Sequence, residues 1–65
     1  MNELIILKEF CLKCVDELNC DDYSTQFRQM MKAFGAVCYF LLTHPELEDF
    51  VNCWWNHEMR DKFFK

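Results

Sequence analysis

The sequence predicts an all-α fold, a small three-helix bundle that self-associates. Three observations predict it. Apolar residues recur at helical spacing in three successive segments. Glycine and proline occur once each, too few for the many turns of a β-rich chain. The lone proline lies in Thr43-His44-Pro45-Glu46, which punctuates the second and third segments. The expected helices run over about 2–19, 23–42 and 45–63 of a single domain, 1–65.

In the first segment Leu4, Leu7, Cys11, Cys14 and Leu18 follow 3-4-3-4 spacing and form one stripe, widened by Val15. Lys8, Glu9, Lys13, Asp16 and Glu17 occupy the opposite arc. Ile5 and Leu12 stack seven apart within that polar arc, so they are expected to be exposed. Asn19-Cys20-Asp21-Asp22 reads as the turn, with Asp22 or Ser24 capping the next helix.

In the second segment Phe27, Met30, Met31, Phe34, Val37, Cys38 and Leu41 match the helical template. Arg28, Gln29 and Lys32 mark a wet face for its first two turns only. From Ala33 to Leu42 no face carries a charge, and a helix apolar all round is expected to be covered all round. A three-helix monomer leaves each helix a wet face, so this half-helix points to a second chain. Gly35, with Ala33 and Ala36 near it, would allow close backbone approach, either to another chain or beneath Trp54 or a Phe.

The residue before a proline avoids the α region, so His44 should leave the helix. Thr43 and Glu46 have the spacing of a capping box for the third helix. In that helix Leu47, Phe50, Val51 and Trp54 form the inner stripe. Trp55 should point about 100° away from Trp54, so both indoles are not expected to face one core. Phe63 and Phe64 near the chain end invite docking against something else.

The arithmetic of size supports association. Apolar burial contributes about 105 kcal/mol at about 25 cal/mol per Å². Ordering the chain costs about 100 kcal/mol. A margin this thin favours a partner, a metal or self-association. The net charge of −4 and only seven dispersed cations offer no footprint for phosphate backbones, which argues against direct nucleic-acid binding. The longest uncharged apolar run, Ala33 to Leu42, is half of what a bilayer-spanning helix needs. No secretory signal opens the chain, so the expected location is cytoplasmic, with the five cysteines as thiols.

Two constellations carry alternative chemistry. Cys11-x-x-Cys14 and Cys53-x-x-x-His57 each place two ligands on one helix face, and together would give a zinc staple. The competing reading takes Cys11 and Cys14 as small core hydrophobes. Asp16, Glu17, Asp21 and Asp22, with Glu46, Glu48 and Asp49, could form one acidic face that mimics nucleic acid toward a basic protein. The bland reading of the second group is that carboxylates suit a helix N-terminus. His57 and Glu58 are adjacent and diverge on a helix, and Ser24 reads as a cap, so no catalytic set is expected.

The reading is therefore a non-enzymatic interaction module without cofactor, a regulator or inhibitor that binds a larger protein and forms a homodimer. Its expected partner-binding residues are Ile5, Leu12, Gly35, Tyr39, Trp55, Phe63 and Phe64. The chain opens at Met1 and ends without a linker, which suggests a complete small gene product such as phages and viruses encode for accessory roles.

Overall fold

The computed structural model describes residues 2–18 and 23–63. Among them the chain is all-helical, a bundle of three helical segments measuring 36 × 18 × 16 Å. Helix α1 spans Asn2–Asp16 and α2 spans Tyr23–Thr43. The third segment, 45–63, changes pitch along its length. It opens as a 3₁₀ turn at Pro45–Leu47 and continues as α3, Glu48–Trp54. It then widens to a π-helical turn at Trp55–Met59 and tightens to 3₁₀ geometry at Arg60–Phe63.

Helix α1 buries the stripe that its spacing marks. Leu7, Cys11 and Cys14 are buried, with Leu4, Val15 and Leu18 packed at their edges. The helix ends earlier than expected. The Glu17 N–H donates to the Lys13 carbonyl at 3.0 Å, and the Leu18 N–H donates to the Val15 carbonyl at 3.1 Å, tightening the last turn. The turn expected at Asn19 to Asp22, with its Asp22 cap, lies outside the described residues, and Ser24 falls within the first turn of α2.

Helix α2 corrects two expectations. Its buried face is Gln29, Ala33, Val37 and Phe40, with Met30, Ala36 and Leu41 beside them. Gln29, expected in water, is only 8% exposed, and its Oε1 has no hydrogen-bond partner among the described residues. It shares a face with Ala33 and Phe40, four and eleven residues on, which explains why it is drawn in. Phe27, Met31, Phe34 and Cys38 match the helical template equally well, yet they face outward. The apolar half from Ala33 to Leu42 is thus buried on one side only. Gly35 packs under none of the described residues, since a Cβ built on it meets nothing beyond its own helix within 4 Å.

The junction corrects a third. His44 leaves the helix at φ −135°, and its N–H donates to the Phe40 carbonyl at 2.8 Å. Thr43 does not cap the third segment. It is still helical, so its hydroxyl lies back along α2 and donates to the Phe40 carbonyl at 2.9 Å. Glu46 turns to His44 Nδ1 at 3.5 Å instead of closing a capping box.

Both indoles enter the core after all: Trp54 is 7% exposed and Trp55 8%. They achieve this by facing different neighbours. Trp54 lies beneath the Lys8 ammonium of α1 (5.6 Å), which also covers Phe50 (5.2 Å). Trp55 sits between Phe34 of α2 (5.6 Å) and Phe63 (6.0 Å, nearly stacked). The π-helical turn begins at Trp55, where the extra residue per turn re-aims the side chains that follow. It delivers Met59 and Phe63 inward, at 1% and 0% exposure.

Two stability outcomes follow from these contacts. The Phe40 carbonyl already accepts the His44 N–H, so Thr43→Ala should change the urea unfolding free energy by less than about 0.5 kcal/mol, well short of the loss of a true cap. Gly35→Ala fills open space on a helix and should stabilise dilute protein by about 0.5–1 kcal/mol in the same titration.

Candidate protein-interaction surface

The feature that the fold leaves unexplained is the outer side of α2. Phe27, Met31, Phe34 and Leu42 are 48%, 49%, 45% and 81% exposed, and Cys38 between them is also exposed. These residues succeed one another at three- and four-residue steps, so they line one face for most of a helix about 30 Å long. No acidic residue occurs anywhere in α2, and Arg28 and Lys32 border the face on one side. Lys32 reaches Glu17, just past the end of α1, at 4.0 Å, a contact too exposed to hold either side chain firmly. An open groove of about 620 Å³ lies over Phe27 and Met31, with Arg28 and Lys32 among its walls.

A second apolar groove, of about 410 Å³, runs between the start of α1 and the end of α2. Ile6 and Phe10 form one wall, Ala36, Tyr39 and Thr43 the other. Ile6 is 65% exposed and Tyr39 70%. Exposed apolar residues are ordinary when single, but contiguous ones mark a contact surface.

The residues expected to bind a partner therefore divide. Gly35 and Tyr39 lie on the exposed side of α2. Ile5 and Leu12 are exposed on α1, at 54% and 46%. Trp55 and Phe63 are core residues and offer no surface, because one small bundle seats more aromatic rings than their spacing suggests. Phe64 lies outside the described residues. Ile6, Phe10 and Leu42 join the exposed set, as do Phe27, Met31 and Phe34, whose helical spacing marks them as a stripe but not as an outward one.

The four residues of the zinc alternative are not assembled. Cys11 and Cys14 are buried, whereas Cys53 and His57 are exposed. Among the described residues no three Cys, His, Asp or Glu side chains stand close enough to hold a metal ion. Burial, reinforced by neighbouring Cys14, pushes the Cys11 thiol up to about 12. Burial also raises Cys14, with Lys32 pulling the other way. The Cys11 Sγ–H points at the Ala33 carbonyl at 3.9 Å, so this cysteine acts as a packed hydrophobe with a weak donor. Of the carboxylates read as an acidic face, Asp16 ends α1 and Glu17 follows it, while Glu46, Glu48 and Asp49 lie in the first turns of the third segment. Asp21 and Asp22 lie outside the described residues.

Comparison with known proteins gives no match: no family, curated sequence or solved structure is similar to the chain. Among the described residues no helix is long and apolar enough to cross a membrane.

The thiols give a direct check. Iodoacetamide should label Cys38 and Cys53 in dilute native protein and reach Cys11 only on unfolding. A pH effect accompanies this. The folded Cys11 pKa lies above its ordinary 9.0, so between that value and about 12 the folded state holds a proton that the unfolded state has lost. Stability should fall as pH rises through this window. Urea midpoints measured across it should show a shallower decline in Cys11→Ala.

Proposed function

We propose that this chain is a small non-enzymatic protein-interaction module, a regulator or inhibitor that engages protein through the outer face of α2. One observation supports the reading above others. Phe27, Met31, Phe34 and Leu42 expose about half or more of their side chains along one line, on a helix without a single carboxylate. A core enriched in aromatics and Met, with charge held to the edge, is the composition of interface centres. The absence of acid on α2 is notable in a chain of net charge −4, and it suits a docking face better than a face kept soluble by charge. A cytoplasmic location belongs to the same reading, because exposed thiols at Cys38 and Cys53 suit a reducing compartment.

The test is capture from the native host's lysate with the wild-type chain and with Phe27→Asp/Met31→Asp. Both substitutions sit on exposed positions, and circular dichroism establishes that the variant keeps its helices. Proteins retained by the wild type should be lost from the variant. Equal retention by both would overturn the assignment of this face.

A further inference from the structure

We propose that the outer face of α2 takes a second copy of this chain, packed antiparallel about a two-fold axis passing between Phe34 and Gly35. The inference rests on the reading of that face as a docking surface and names its occupant. An isologous contact requires a patch that complements itself when turned around. This one does. From the point between Phe34 and Gly35, the exposed line steps outward through Met31 and Phe27 on one side. It steps through Cys38 and Leu42, at the same separations, on the other. In an antiparallel pair Met31 then meets Cys38 of the second copy, and Phe27 meets Leu42 of the second copy. At the centre the Phe34 ring of each copy lies over Gly35 of the other.

Gly35 is the second argument. A glycine inside a helix weakens it relative to alanine, and among the described residues nothing approaches the place of a Cβ. The monomer has no need of it. A ring from a second copy crossing at this point does, because a bare backbone lets the two helices close up.

Charge selects the direction. In a parallel pair Arg28 would face Arg28 and Lys32 would face Lys32. In the antiparallel pair the two Arg28 side chains stand roughly 20 Å apart along the axis. Each then lies against the uncharged second half of the other copy's α2.

The area is sufficient for a weak dimer. Aromatic and other large side chains carry roughly 200 Å² each, and those on this face leave about half of it in water. With the flanking residues, two copies cover roughly 1,000 Å², the threshold of a specific interface. The association should therefore be micromolar and concentration-dependent.

Two measurements decide the matter. In sedimentation equilibrium the wild-type mass should climb from 8.0 kDa toward twice that value through the micromolar range. Phe27→Asp/Met31→Asp should stay at 8.0 kDa throughout. Direction is read by disulfide mapping of Met31→Cys in a Cys53→Ser background. Mild oxidation should join position 31 to position 38 between chains. The two positions are too far apart on one helix to join within a chain. Linkage of 31 to 31 and 38 to 38 would overturn the antiparallel arrangement. A wild-type mass fixed at 8.0 kDa would overturn self-association itself. If lysate proteins are still captured through Phe27 and Met31 in that case, the docking reading stands and only its occupant is wrong. If neither occurs, both fall.

Discussion

The close packing of α1 against α2 at Cys11 and Ala33 governs the rest of the structure. Both residues have zero exposed surface, and the thiol of one points at the backbone carbonyl of the other. Small side chains at the crossing let the helix axes approach, which is how a short chain reaches interior packing density with few atoms. That contact also decides which way α2 turns. Helix α2 carries two apolar lines, one through Ala33, Val37 and Phe40, the other through Phe27, Met31, Phe34 and Cys38. The first sets Ala33 against Cys11 of α1 and is taken inward. The second is left on the outside as a direct result.

The third segment completes the core by adapting its pitch. A uniform α-helix from Pro45 to Phe63 would direct successive side chains at fixed increments of about 100°. The segment instead has four distinct stretches, so Val51, Trp54, Trp55, Met59 and Phe63 all point inward. The hydrogen-bond geometry of the π and 3₁₀ turns is poorer than that of a regular helix. Burial of two indoles and a phenyl ring outweighs that loss, each ring burying 150–250 Å² as a rule.

Much of this is written plainly in the chain. Helical spacing locates all three segments, and the stripe from Leu4 to Leu18 needs no correction because it is the longest run of apolar residues at that spacing in the first segment. Ile5 and Leu12, placed in the polar arc, are exposed as their angle requires. Pro45 identifies His44 as the residue that leaves the helix. The choice between two apolar lines on α2 is not legible, since periodicity measures spacing and is blind to what a neighbour can accommodate. Thr43 misleads for a related reason. A hydroxyl at the end of one helix and the start of the next has two backbone partners within reach, and the motif does not say which it takes. Trp55 and Phe63 escape because a fixed angular step cannot anticipate a change of pitch. Gln29 resembles its neighbours Arg28 and Lys32 in polarity, yet it shares its angle with Ala33.

The tryptophan pair has an optical consequence. Trp54 is shielded beneath Lys8, so its emission reports on the fit of the third segment against α1. Trp55 touches Phe34, and Phe34 is the ring that the core shares with the outer face of α2. The two indoles stand 6.4 Å apart at a steep angle, each with its own neighbours. Any molecule that settles over Phe34 alters the surroundings of one chromophore and leaves the other in place. The protein thus carries its own spectroscopic gauge of that face, separate from the signal of its unfolding.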